Sequence, residues 1–239
     1  MKRYLIFLAS LIFGQGATSQ QINSGGFGHF MIGPAWSLSQ KVDDYLAQPN
    51  VLGNSFQPIQ SGVLAGGEGF AVINRVLIGG GGYGISHFSQ SSDSGSLIKA
   101  GGGGYFKAGY IVWTRTRSFM TANIAFGGFG YTYEITNNRA QNGIYFNQEF
   151  PINKGETRRY TYGGTSFDFS YGIKTVVGKR QEADRCGGFM LGTDVGCLLN
   201  IATGDWVGAE DNIIGPPSPG MMAIPYIRLT IGGGGFHLK

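Results

Sequence analysis

Charge is the first scarcity in this chain. Asp, Glu, Lys and Arg make up 13% of it, about half the roughly 25% of a soluble domain, which excludes a large, ordinary water-facing surface. Cysteine is nearly absent. If residues 188 to 199 form one extended strand, Cys186 and Cys197 stand about 35 Å apart, far beyond disulfide reach, so no intrachain bridge is expected. Long apolar runs are missing too. The only sustained one is Tyr4 to Phe13, well short of the ~20 residues of a spanning helix. With Lys2 and Arg3 before it and Ala17-Thr18-Ser19 after it, that run reads as a secretory signal over residues 1–19. No cysteine follows to carry a lipid anchor. The remaining 20–239 shows no composition break and reads as one domain.

Removing Lys2 and Arg3 leaves 16 basic against 14 acidic residues. That balance, with no Lys/Arg cluster interleaved with aromatics, excludes nucleic acid as a partner. What is abundant is glycine, 43 residues, with aromatics at 13% and hydrophobic residues at 42%. A disordered glycine-rich chain would lack that apolar content. Any membrane crossing therefore falls to strands.

Eight segments alternate with period 2: Gly28 to Leu38, Gln60 to Ile73, Val76 to Ser86, Ile98 to Trp113, Ser118 to Tyr133, Ser166 to Val177, Phe189 to Leu199 and Met222 to Gly233. Most exceed the ~9 to 11 residues of a tilted membrane strand. Their connections alternate long and short: 39–59, Asn74-Arg75, 87–97, Thr114 to Arg117, 134–165, 178–188 and 200–221. Short periplasmic turns and longer external loops produce this pattern in an outer-membrane barrel. The expected fold is all-β, a closed antiparallel up-and-down transmembrane barrel of about eight strands. In the first loop Val42 to Ala47 is expected to make a helical turn, stopped by Pro49.

Charge placement tests that fold, because a charge facing lipid at mid-membrane costs about 2 to 4 kcal/mol. Glu68, Lys107, Asp168, Lys174, Asp194 and Arg228 each sit opposite an uncharged face of their strand, and His29 sits opposite Phe30, Ile32 and Trp36. A soluble sandwich would expose several charges per strand, whereas here there is about one. Three acids and three bases sum to zero, so they are expected to form one neutral lumen network, with Asp194 and Arg228 as its leading pair. An eight-stranded barrel is just wide enough for side chains to fill. A filled lumen is expected, not an open pore.

No glycine run fits a phosphate loop, since none joins a strand to a helix with the required lysine. Glycines inside strands permit close approach and tight bends. Those on neighbouring strands, Gly67, Gly69, Gly80, Gly82, Gly102, Gly104, Gly128 and Gly130, would also leave a side-chain-poor patch on the outer wall. Such a patch fits an acyl chain of outer-membrane lipid or a membrane protein partner. Trp36, Tyr110, Trp113, Phe119, Tyr131, Tyr133, Phe167 and Tyr226 lie near strand ends and are expected to form interfacial girdles. The basic short turns read as solvated, with anionic headgroups as the alternative contact.

No catalytic centre emerges. His29 and His237 fall on the expected periplasmic side, and His87 begins an external loop near Ser86, Ser89 and Asp93. A triad needs a nucleophile, base and orienting acid converging in space, which neighbours in one loop rarely achieve. Three scattered histidines and two cysteines give no zinc spacing. Asp205, Glu210 and Asp211 read as a solvated loop. No cofactor or metal is expected.

With signal, eight alternating segments and alternating loop lengths, the chain resembles the small outer-membrane β-barrel proteins of Gram-negative bacteria, of the OmpX or opacity-protein type. The resemblance spans roughly residues 25 to 239 and is architectural. It implies residence in the outer membrane and a noncatalytic adhesion, protection or accessory role. Those proteins commonly finish on an aromatic residue, whereas this chain ends Phe236-His237-Leu238-Lys239, which moves that aromatic to Phe236. A lipid-modifying enzyme, a narrow pore and a secreted binding protein are the alternatives the sequence leaves open.

Overall fold

The computed structural model describes residues 22–38, 40–115, 117–138, 143–182, 185–209 and 213–238; the expected signal at 1–19 lies outside them. Among these described residues nine strands and one helix follow in chain order: β1 (Ile22–Trp36), α1 (Gln40–Leu46), β2 (Ser61–Ile73), β3 (Val76–His87), β4 (Gln90–Ser91), β5 (Gly95–Arg115), β6 (Ser118–Asn137), β7 (Thr157–Glu182), β8 (Arg185–Ala202) and β9 (Met221–Leu238). Apart from the two-residue β4, every strand pairs antiparallel with its sequence neighbours. Pairing of β3 with β5 and of β1 with β9 closes eight of them into a barrel.

Closure fixes the size of the interior. One row of register partners runs Gly28, Gly69, Gly80, Phe106, Phe126, Phe167, Leu199 and Ala223, and returns to β1 at Leu38. Starting at 28 and returning at 38, the sheet is staggered by ten residues. For eight strands such a stagger goes with a strong tilt, roughly 35–45°, and an interior that side chains fill.

β2 and β3 are joined by the two-residue turn Asn74-Arg75, with φ of 49° and 70°. Positive φ at both positions belongs to a type I′ hairpin, whose twist matches the flanking strands. Asn tolerates that region; Arg does so at a cost.

Period-2 alternation decides the two faces. Phe30 (80% exposed), Phe106 (67%), Ile124, Phe169, Val195 and Leu229 face outward without protein cover. Among the described residues, charged side chains on that face occur only toward the two ends, among them Glu134 with Arg159 at the long-loop end and Arg185 at the other. A belt of this kind is a wall built for hydrocarbon.

The inward face is stacked in three tiers. Toward the short turns, Phe27, Phe70, Val72, Leu77, Ile111, Phe119, Met190 and Phe236 form an apolar plug. Charged residues occupy the middle. Toward the long loops lies a second apolar cluster in which strand residues such as Tyr131, Tyr133 and Tyr162 join loop residues. Val42, Tyr45 and Leu46 of α1, with Leu52, Phe56, Ile144, Phe146, Ile152 and Trp206, are all buried there, so the long loops fold into a cap over the barrel mouth.

Several expectations change, beginning with the connection read at 178–188, most of which is strand because β7 runs to Glu182 and β8 begins at Arg185. The segment 134–165, read as a loop of turn residues, contributes its ends to strands: β6 reaches Asn137 and β7 begins at Thr157, and their paired upper halves project as one hairpin. Among the aromatics assigned to girdles, Trp36 and Tyr110 do face outward, but Phe119, Tyr131, Tyr133 and Tyr226 are at most 2% exposed and point into the lumen. The rings of Tyr131 and Tyr226 lie across glycines of the adjoining strand. A Cβ on Gly101 would meet the Tyr131 ring at 2.8 Å, and one on Gly196 would meet the Tyr226 hydroxyl at 2.5 Å. Inward glycines are the space those rings occupy.

Candidate functional site

Six charged side chains from five strands converge in the middle tier, all between 0 and 7% exposed. Lys107 on β5 bridges two acids, with Nζ 2.8 Å from Glu68 Oε1 and 2.8 Å from Asp168 Oδ2. Arg228 on β9 also bridges two, donating from Nη2 to Glu68 Oε1 at 2.7 Å and from Nε to Asp194 Oδ2 at 3.3 Å. Lys174 on β7 donates to Asp194 Oδ1 at 2.6 Å. Tyrosines complete the shell: the Tyr226 hydroxyl donates to Asp168 Oδ1 at 2.7 Å, and the Tyr105 hydroxyl donates to Glu68 Oε1.

The structure thus brings all six residues into one connected set of ion pairs. Asp194 and Arg228 are cross-strand partners in register, although the shorter contact to Asp194 comes from Lys174. His29, placed by sequence at the periplasmic side, instead lies in the network with Nε2 3.4 Å from Glu68 Oε2. His29, Glu68 and Asp194 offer ligand atoms within 4.8 Å of one another. Both carboxylates already face Lys107, Lys174 and Arg228, so a dication would enter a site whose positive charge is supplied. What this arrangement does chemically is hold a neutral, fully paired plug across the lumen, at the cost of desolvating every member.

Chemistry near the external mouth differs from the local triad considered above. His87 is hydrogen-bonded not to its loop neighbours but to Ser37, fifty positions away in sequence, with Nε2 and Oγ 3.1 Å apart and the Tyr131 hydroxyl 3.4 Å from the same Oγ. Ser37 is wholly buried and His87 is 4% exposed. Among the described residues no carboxylate is hydrogen-bonded to His87, so the third member of a triad is missing. Beside the pair, Lys99 lies over the Tyr133 ring at 5.6 Å. Asp43, at the buried side of α1, has its carboxyl raised above the ordinary range by burial, opposed by Lys99.

The eight glycines expected on the outer wall all face outward, and cross-strand register aligns them. Gly67, Gly82, Gly104 and Gly128 form one row; Gly84, Gly102, Gly130 and Gly163 form the next; Gly69 and Gly80 continue through Gly28 and Gly233. Because rows run perpendicular to tilted strands, the bare band climbs obliquely round the wall. Cys186 and Cys197 lie on the same strand, β8, as free thiols.

Comparison with known proteins adds little. No family model and no curated protein matches the chain. Among solved structures, the crystal structure of outer membrane protease OmpT from Escherichia coli aligns over 94% of this chain and 99% of that one, with 7% identity and a TM-score of 0.30. Similarity at that level carries over neither residue roles nor chemistry. What this chain shares with the small outer-membrane barrels is architecture, eight antiparallel strands closed in sequence order.

Proposed function

We propose that this protein is a noncatalytic outer-membrane β-barrel, a structural, surface-interaction or accessory subunit that works through its external cap and outer wall. One observation carries the reading: the lumen is occupied at every level, by the apolar plug, the six-residue ion network and the cap, so exchange with the surroundings is left to the exterior. Membrane residence follows from the outward apolar belt, whose exposure to water would cost about 25 cal/mol per Å². Export through an N-terminal signal accounts for how such a barrel reaches the outer membrane.

A narrow pore conflicts with the paired charges in the lumen. A lipid-modifying enzyme has one observation in its favour, the bond between Ser37 and His87, and three against it: no carboxylate among the described residues hydrogen-bonded to the histidine, complete burial of the serine, and the cap above it. Outer membranes from wild-type, deletion and His87→Ala strains test the reading together with single-channel recording of the purified protein. Unchanged lipid composition in all three and a silent bilayer are expected. An altered lipid profile in the His87→Ala strain would establish the enzyme instead, and steady conductance would establish the pore.

A further inference from the structure

The short-turn end of the barrel carries a groove of about 550 Å³, lined by Gly25, Gly187, Gly188 and Gly235 together with Cys186 and Phe236, and edged by Arg185 and His237. Arg185 and His237 are direct cross-strand partners on the outward face, and Ser24 of β1 continues their row. The next row toward mid-membrane is Gly187, Gly235 and Gly26, and the one after it contains Gly233, Gly28 and Gly69 beside Phe189. A line of cationic and hydrogen-bonding groups is thus followed by a channel without side chains leading into the apolar belt. That sequence of chemistries matches a phosphate headgroup above an acyl chain.

Charge is distributed to suit. Arg75, Arg115, Arg117 and Arg185 all lie at this end, and no described acidic side chain does; in the sequence of the β7–β8 hairpin, Lys179 and Arg180 offset Glu182 and Asp184. Acids outnumber bases among the long loops. The mature chain is nearly neutral yet presents a positive rim on the short-turn side.

We infer that this rim binds an anionic glycerophospholipid of the adjoining leaflet, with the phosphate at Arg185 and His237 and an acyl chain in the glycine groove. The inference rests on the membrane-embedded reading above. It goes beyond a solvated rim, because the groove adds shape to the charge.

The protein refolded into phosphatidylcholine vesicles, with spin-labelled phosphatidylglycerol or phosphatidylcholine as probe, separates the contributions. Motionally restricted phosphatidylglycerol is expected to exceed phosphatidylcholine several-fold, and Arg185→Gln is expected to reduce that preference about five-fold, the contribution of one basic residue at an anionic surface. Gly235→Val fills the groove without changing charge, and since an added Cβ there meets nothing within 4 Å, the barrel still folds, as heat-modifiable gel mobility will verify. It is expected to abolish the preference. Preference retained in Gly235→Val, or lost equally when any rim arginine is neutralised, would overturn the groove in favour of diffuse attraction. Equal restriction of both lipids by the wild type would overturn the site while leaving the membrane reading intact, whereas no restricted lipid at all would remove the membrane reading itself.

Discussion

Neutralising Glu68 and Arg228 together should damage the barrel by clearly less than the sum of neutralising each alone. Glu68 receives Lys107 at 2.8 Å, Arg228 at 2.7 Å and the Tyr105 hydroxyl. Glu68→Gln keeps the shape and leaves the lumen with three cations against two anions. Lys107 retains Asp168 at 2.8 Å, and Arg228 retains only Asp194 at 3.3 Å, an acid it shares with Lys174. Complete loss of a buried partner costs about 3–5 kcal/mol and loss of one charged hydrogen bond about 1.5–3 kcal/mol, so partial loss on two cations is worth about 3 kcal/mol. Arg228→Gln is expected to cost about as much, with the opposite surplus. In Glu68→Gln/Arg228→Gln the two remaining acids and two remaining bases are already matched, Lys107 with Asp168 and Lys174 with Asp194. The double variant should therefore recover at least about 2 kcal/mol relative to the sum of the singles. Equilibrium urea unfolding in phosphatidylcholine vesicles, followed by tryptophan fluorescence, supplies the cycle. A single variant within about 0.5 kcal/mol of wild type, or a double equal to the sum, would refute the idea that the lumen ions form one balanced network.

Three further outcomes are expected. Arg75→Gly relieves a non-glycine residue held at φ 70° and should stabilise the barrel by about 1 kcal/mol, seen as a higher urea midpoint; a lower midpoint would mean that the Arg75 side chain outweighs its backbone strain. Phe146→Ala removes a wholly buried ring whose centroid lies 4.5 Å from the tilted ring of Tyr160 and 5.2 Å from the edge-on ring of Trp206, a loss of about 3–5 kcal/mol confined to the cap. Protease nicking between residues 138 and 156 should appear while heat-modifiable mobility persists, and loss of both together would show that cap and barrel fold as one unit. Burial of Asp43 against the mouth raises its pKa above the ordinary 3.8, so the docked helix favours the protonated form: its contribution is present at pH below 3.8 and is lost as pH rises through the window above it. Near-UV circular dichroism of the Trp206 environment should then melt at higher temperature near pH 4 than near pH 7, and the reverse order would count against the assignment.

Strand positions and the lumen residues were legible because both depend on a local rule, the alternation of faces, and because charge is so scarce that a single residue marks the inward parity of a strand. Where that mark was missing the reading lost its footing. β6 carries no lumen charge, so nothing in its sequence said whether Tyr131 and Tyr133 face lipid or lumen, and position near a strand end was a poor substitute. The upper half of β7 was hidden for another reason: Arg158, Arg159 and the turn residues before them look like loop, and only pairing of Arg159 with Glu134 across the hairpin makes them strand. The cap was invisible because Leu46, Leu52, Phe146, Ile152 and Trp206 sit at irregular spacings and have a common core only in three dimensions. The Ser37 and His87 pair is of the same kind.

Glycine links these successes and failures, since its two uses in this wall are related by parity alone. On the inward face a missing side chain makes room for a tyrosine ring, as Gly101 does for Tyr131 and Gly103 does for Tyr83, whose hydroxyl would lie 3.1 Å from an added Cβ. On the outward face Gly69 and Gly235 meet nothing within 4 Å, so packing within the chain does not explain them. Backbone entropy makes each such glycine cost roughly 0.5–1 kcal/mol relative to alanine, and β-branched residues would fit a lipid-facing strand better. Close backbone approach accounts for Gly80 and Gly102, whose added Cβ would lie 2.9 and 2.7 Å from a neighbouring carbonyl oxygen, but at Gly69, and at Gly104 and Gly128 where the nearest atom is 3.7 and 3.6 Å away, glycine is a feature that the barrel's own stability does not require. Substituting alanine at Gly69, Gly104 and Gly128 should leave the barrel folded and at least as stable, so any loss of function in that variant would assign the band to what lies against it.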